Sequence, residues 1–208
     1  KKNTLATLGT QELEAIRSNS NVRNAAPVTV NYTEAKMRGL VANALIWGID
    51  QEAQDVISLS LKYGRLLNGS DVAQARPVCV VDENFAKAFY KRDNIVGKEI
   101  RLLLPAGYQY FTVVGVVQSG GSILQGLMDS YIPSFVYVPY SVSKSGGKTQ
   151  FDQIVVRVKD GELAAETGEE LSRLLDSMNQ VSRGYNIENI LQQKQSLDNM
   201  MNIFTLVL

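Results

Sequence analysis

Ile100-Arg101-Leu102-Leu103-Leu104-Pro105-Ala106-Gly107-Tyr108-Gln109-Tyr110-Phe111-Thr112-Val113-Val114-Gly115-Val116-Val117 is the stretch whose reading decides the fold class. Residues 100–104 and 110–117 are apolar runs separated by Pro105-Ala106-Gly107, a pattern that predicts two strands joined as a hairpin. Gly115 inside the second run predicts a bulge or a close backbone approach, and Gly97 ahead of the first predicts a turn.

Outward from the hairpin, the short continuous apolar run at 78–81 predicts a strand covered on both faces. Residues 83–91 predict a helix that buries Phe85, Ala88 and Phe89, and residues 135–140 a strand ending at Pro139. Residues 22–32 and 37–49 are mostly extended, and 51–59 fit a short helix running into a turn at Tyr63-Gly64-Arg65. Asn68-Gly69-Ser70-Asp71 is a second turn signal.

Near the ends the period changes. A helix is expected over 11–18 with Thr10 as N-cap, Glu12 and Glu14 in its first turn and Arg17 in its last. Ile154, Val156 and Val158 alternate as a half-buried strand, and 162–179 is the strongest helix, with Leu163, Thr167, Leu171, Leu174, Leu175 and Met178 on one face. A strand at 185–190 and a helix over 191–202 follow. The expected class is α+β. Residues 1–45 and 150–208 form one α/β subdomain from both chain ends, and 46–149 is a β-rich insertion, with 141–149 as a polar connector.

Lys+Arg and Asp+Glu balance at 21 each, so no net field draws nucleic acid, which excludes it as a partner. Histidine is absent and Cys79 is the only cysteine, which rules out a zinc or copper site and any His-dependent triad. Cys79 lies in an apolar run and reads as a small buried hydrophobe. No cofactor is implied. No signal peptide and no run of about 18 apolar residues is visible. The chain starts at Lys1-Lys2, and its apolar ending at 200–208 fits either an amphipathic helix or the entry into a transmembrane helix.

The catalytic look-alikes fail on chemistry. Ser141-Val142-Ser143-Lys144 and Lys144-Ser145-Gly146 imitate two elements of serine β-lactamases, yet here they share Lys144. Gly147-Lys148-Thr149 imitates the end of a phosphate loop, but Val142 stands where glycine is needed and a strand follows. Asp50, Glu52, Asp55, Asp82 and Glu83 fit no twelve-residue calcium loop and read as surface charge. The expectation is that the chain is not an enzyme. In the glycine-bearing loop 119–134, Leu124, Leu127, Met128, Tyr131 and Ile132 are either tucked onto the core or offered to a partner, and they are the candidate partner-contact residues.

The order of these signals resembles a family. Val22-Arg23-Asn24-Ala25-Ala26-Pro27-Val28, Leu61-Lys62-Tyr63-Gly64-Arg65 with Asp71, Val78–Asp82 with Phe89, Val96-Gly97-Lys98-Glu99-Ile100, Phe111–Val116, Val138-Pro139-Tyr140 and Ile154–Val158 follow one another. They do so as in the MacB-like periplasmic core domain of ABC-transporter permeases, a group that includes FtsX-like and lipoprotein-releasing permeases. The resemblance covers roughly 13–200. The strand that precedes the family's first helix is short or missing here, and the 119–134 loop is longer and more apolar.

The resemblance implies an extracytoplasmic domain at the cell membrane, carried between the first two membrane helices of a permease. It implies that the part built from both chain ends lies nearest the membrane. It also implies a second permease copy, a cytoplasmic ABC ATPase subunit or domain, and an extracytoplasmic adaptor or a substrate peptide or lipoprotein as partners. ATP hydrolysis in the cytoplasm would then drive substrate export or movement of an extracellular partner, with no chemistry in the domain itself. A freestanding secreted or surface binding module is the alternative.

Overall fold

The computed structural model describes residues 6–37, 39–119, 135–143, 150–188 and 203–208. In chain order its elements are α1 (Thr10–Arg17), β1 (Val22–Met37), β2 (Leu40–Ile49), α2 (Gln51–Val56), β3 (Leu61–Gly64), α3 (Gly69–Ala73), β4 (Val78–Asp82) and α4 (Glu83–Tyr90). After these come β5 (Glu99–Leu104), β6 (Gly107–Val117), β7 (Phe135–Pro139), β8 (Gln153–Val158), α5 (Ala164–Asn179), β9 (Asn186–Glu188) and β10 (Ile203–Val207). Mixed helix and strand content makes the fold α+β. Contacts divide the chain into two compact units, Lys1–Val28 with Thr149–Leu208, and Thr29–Lys148.

In the second unit the hairpin β5–β6 closes over Pro105 and Ala106, with Leu104 opposite Gly107. Around it the strands run β2-β7-β4-β6-β5-β1, and residues 29–37 of β1 pair with β2 as well as with β5. The six strands therefore close on themselves as a barrel, which leaves no free edge among them. Period-2 alternation fills the interior with Ala35, Met37, Ala44, Ile46, Cys79, Val81, Ile100, Leu102, Leu104, Phe111, Val113, Val136 and Val138. On β6 the inward positions run Phe111, Val113 and then Val116, because the register with β4 slips between Cys79 and Val80. That bulge at Val114 is what keeps Val116 in the core.

Helix α4 adds Phe85, Ala86 and Phe89 to this core. Ala88, expected there, is exposed, and Ala86 takes its place because the helix turns Phe85 and Phe89 inward with their rings 4.6 Å apart. Two expected turns are corrected. Tyr63-Gly64-Arg65 lies in and after β3, which pairs with β6, and Asn68-Gly69-Ser70-Asp71 begins α3, with the Asn68 side chain accepting from the Asp71 N–H at 2.9 Å. Of the expected connector 141–149, residues Tyr140–Ser143 form a 3-10 turn, and 144–149 lie outside the described residues.

In the first unit, residues 22–28 of β1, then β8, β10 and β9, form an antiparallel sheet in that order. Helices α1 and α5 contribute Leu13, Ile16, Leu171 and Leu175 to its core. The N-cap of α1 is Gly9, not Thr10, and the Glu12 carboxylate accepts from the Gly9 N–H at 3.2 Å. Leu163, the N-cap of α5, and Leu174 and Met178 on the helix are exposed; the buried stripe is Thr167, Gly168, Leu171 and Leu175. Val155 is buried as well as its neighbours, so β8 is covered on both faces.

The chain's apolar ending is corrected too. Residues 203–207 form β10, flanked by β8 and β9, and not a helix. Ile203-Phe204-Thr205-Leu206-Val207 has the branched and aromatic content of a central strand, and four of its five side chains are buried. Among the described residues no helix is long and apolar enough to cross a membrane. The helix expected over 191–202 lies outside the described residues.

Candidate functional site

Residues 119 and 135 bracket the stretch in which the sequence points to partner contacts. Leu124, Leu127, Met128, Tyr131 and Ile132 lie outside the described residues; the ground on either side of them is well defined. Asp82 ends β4 and caps α4, its Oδ1 accepting from the Phe85 N–H at 2.8 Å. Its other oxygen accepts from the Phe135 N–H at 2.7 Å, and the Ser119 hydroxyl donates to Oδ1 at 3.4 Å. One buried carboxylate thus holds the first residue of the 119–134 stretch and the first residue after it. Burial pushes this carboxyl above its ordinary value, although the N–H groups of Phe135, Phe85 and Asn84 and the Ser119 hydroxyl pull the other way.

Beside this anchor the surface is charged. Lys62 reaches Glu83 at 2.7 Å and Asp93 at 3.0 Å, and the Tyr63 hydroxyl donates to Asp93 at 3.2 Å. These hydrogen bonds raise the Lys62 ammonium and lower both carboxyls. The backbone N–H of Ser119 also donates to Glu83, at 3.4 Å. Among the described residues the cluster is internally paired and holds β3, α4 and the start of the 119–134 stretch together.

The residues quoted for the resemblance meet nearby. Gly64 and Gly115 face each other where β3 pairs with β6, and Arg65 N–H donates to the Val114 carbonyl at 2.9 Å. A Cβ on Gly115 would sit 2.0 Å from the Arg65 carbonyl oxygen, and one on Gly64 2.2 Å from that of Val114. The Arg65 guanidinium then reaches back to Asp71, at 2.7 and 3.2 Å, and Asp71 is 0% exposed. Burial pushes the Asp71 carboxyl up, but Arg65, the Asn68 N–H and the Arg76 charge outweigh it and hold it below the ordinary range. The glycines, Arg65 and Asp71 are therefore a structural clasp.

Only part of the chemical look-alikes lies among the described residues. Ser141 Oγ donates to the Val72 carbonyl at 2.6 Å, while Lys144 and 147–149 lie outside the described residues. Asp50 caps α2 by accepting from the Ala53 N–H at 2.7 Å. It lines an open cleft of about 600 Å3 with Glu52 and Asp55, and no group of three metal-binding side chains is found among the described residues. Cys79 is fully buried in the barrel, and burial pushes its thiol far up.

The anchoring role of Asp82 escaped the sequence reading. An acidic residue just before a helix signals an N-cap, but its tie to Phe135, 53 positions away, follows only from the neighbouring of β4 and β7.

Comparison with known proteins gives a consistent answer. The model of the MacB-like periplasmic core domain matches residues 2–174. The macrolide export ATP-binding/permease protein MacB of Aggregatibacter actinomycetemcomitans is 30% identical over 171 residues, covering 80% of this chain and 25% of that protein. The chain thus spans about a quarter of that relative's length. Among solved structures, the periplasmic region of MacB from Actinobacillus actinomycetemcomitans superposes with a TM-score of 0.67 at 26% identity, over 85% of this chain and 77% of that one. The extracellular domain of the noncanonic ABC-type transporter YknZ from Gram-positive bacteria shares the fold, with a TM-score of 0.69 at 18% identity, over 86% of this chain and 88% of that one.

Proposed function

The chain belongs to the family of MacB-like periplasmic core domains, and from that premise we propose that it is the extracytoplasmic domain of an ABC-transporter permease. It couples ATP hydrolysis in a cytoplasmic ATPase to export of a substrate or movement of an extracytoplasmic partner, and it works with a second permease copy. The observation that carries this reading is the family match across residues 2–174 together with the likeness to the solved periplasmic region of MacB.

The fold supports it. A domain carried between two membrane segments needs its entering and leaving chain close together, and β1 and β10 flank β8 in one sheet. The unit built from both chain ends is then the membrane-proximal part, and the barrel unit is the insertion that meets partners. Leu124, Leu127, Met128, Tyr131 and Ile132 would make those contacts, on a stretch rooted at both ends on Asp82. The domain does no chemistry of its own. Histidine is absent from the sequence, and the Ser141 hydroxyl is engaged with a backbone carbonyl.

Side-chain accessibility in the full-length protein tests the placement. With Cys79 replaced by Ser, a single cysteine at Tyr32, which is 60% exposed, should react with a membrane-impermeant maleimide added outside intact cells or spheroplasts. Labelling only after the membrane is broken would overturn the proposal. Recovery of the labelled protein free in the medium would favour a secreted binding module instead.

A further inference from the structure

On the outside of the barrel, away from Asp82, two cations sit with no counter-charge bound to either among the described residues. Lys36 on β1 is directly opposite Arg101 on β5, and Arg101 is directly opposite Tyr110 on β6. Like charges facing each other across strands repel. Neither side chain makes an ion pair or hydrogen bond among the described residues, and the buried Nε–H of Arg101 has no acceptor there. What holds them is aromatic. Lys36 Nζ lies 4.5 Å from the Tyr108 ring centre, and the Arg101 guanidinium 4.8 Å from the Tyr108 ring and 5.8 Å from the Tyr110 ring. Tyr108 is fixed in turn by its hydroxyl, which donates to Glu34 at 2.9 Å.

Both cations line a cleft of about 380 Å3 whose other walls include Val41, Tyr110 and Glu99. Val41 is 56% exposed, and Leu40 is exposed beside it. A monomer's solvated sheet face seldom carries so many large apolar groups around unpaired cations.

We propose that this face is a docking surface for an acidic segment of a partner protein, with one carboxylate seated between Lys36 and Arg101 and apolar neighbours packed on Val41 and Tyr110. A carboxylate matches the planar guanidinium fork and relieves the repulsion between the two cations. A membrane surface fits less well. Glu34 and Glu99 share the face and repel an extended sheet of anionic headgroups, whereas a single carboxylate fits between them. The partner's location outside the membrane rests on the function proposed above; the surface itself does not.

The test uses this chain and a defined probe, the peptide acetyl-Leu-Glu-Leu-Glu-Leu-Glu-amide, titrated by NMR. Saturable shifts should centre on Lys36, Arg101, Tyr108 and Tyr110. Arg101→Gln should weaken binding by about tenfold or more, as should replacing the peptide's Glu with Gln. Arg101→Lys should retain more of the affinity than Arg101→Gln, which shows that charge and not lost packing is at issue, and urea unfolding checks that each variant is folded. Equal binding of the Gln peptide, unchanged affinity in Arg101→Gln or no binding at all would overturn the proposal. So would Arg101-dependent binding to phosphatidylglycerol vesicles without binding to the peptide. A chain that labels from outside the cell yet ignores the peptide overturns only this surface and leaves the transporter reading standing.

Discussion

At the scale of single residues, the clasp around Gly115 is the most constrained point. Its missing Cβ is replaced by the Arg65 carbonyl oxygen, so Gly115→Ala must push β3 off β6 and loosen the Arg65–Asp71 pair that follows. A loss of about 2–3 kcal/mol is expected in urea unfolding. Gly39 makes the contrast. Its φ is +79° but nothing lies within 4 Å of a Cβ there, so Gly39→Ala should cost only about 1 kcal/mol. Gly115 has no left-handed φ, so equal losses in the two variants would show that the Arg65 carbonyl yields at little cost and that the close approach is not the constraint. This much was half legible. A glycine inside a valine-rich strand signals a bulge, and one is there; Gly64 carried the same signal but was read as a turn because its partner strand begins 43 residues later at Gly107. Asp71 shows the opposite failure. It is a turn-like residue in sequence, and only the approach of Arg65 and Arg76 makes it a buried, ionised anchor.

At the scale of elements, β4, α4 and β7 share one carboxylate, and its proton makes their stability depend on pH. Asp82 has its carboxyl raised in the folded chain. Between the ordinary Asp value of about 3.9 and that raised value, the folded state holds a proton that the unfolded chain has released. The stability due to this proton is complete below about pH 3.9 and is lost as pH rises through the raised value. Asp71 runs in the other direction. Its lowered carboxyl stabilises above about pH 3.9, and that stability is lost as pH falls through the folded value. Asp82→Asn keeps an acceptor for the Phe85 N–H but turns a donor toward the Phe135 N–H, a loss of about 1–3 kcal/mol. Because Asn does not titrate, the gap between wild type and Asp82→Asn should narrow from pH 4 to pH 8 in urea unfolding curves. A gap that widens would mean that the ionised carboxylate is the favoured form. The sequence announced each of these elements through its period, but Asp82, read there as surface charge, is the buried cap that joins them. The sequence misjudged the last strand, because an apolar run of five residues has no helical or strand period of its own until β8 and β9 supply neighbours.

At the scale of the molecule, the informative boundary lies inside a strand. Residues 22–28 of β1 belong to the sheet made by both chain ends and 29–37 to the barrel, and the strand runs on past Pro27 with no loop between them. Composition marks domain limits through loops, and a boundary inside a continuous strand has none, so the crossing expected at 45 falls within β2. The two units differ in how far their contacts reach along the chain. Val28 faces Gln153 with the whole second unit between them, while the barrel's strands all come from one continuous stretch. Closing the first sheet across an unfolded stretch of that length is entropically slow and unfavourable. A second unit that is already compact removes most of that cost. The barrel has its own filled interior, and its closure between β1 and β5 uses Ala35 and Lys36, both within the continuous stretch. Residues 29–148 expressed alone should therefore give a dispersed amide spectrum and a single cooperative unfolding transition that matches the change in near-ultraviolet signal. A disordered or aggregating fragment would mean that the barrel needs residues 22–28 paired with β8 before it can close, and the two units would then be one cooperative structure.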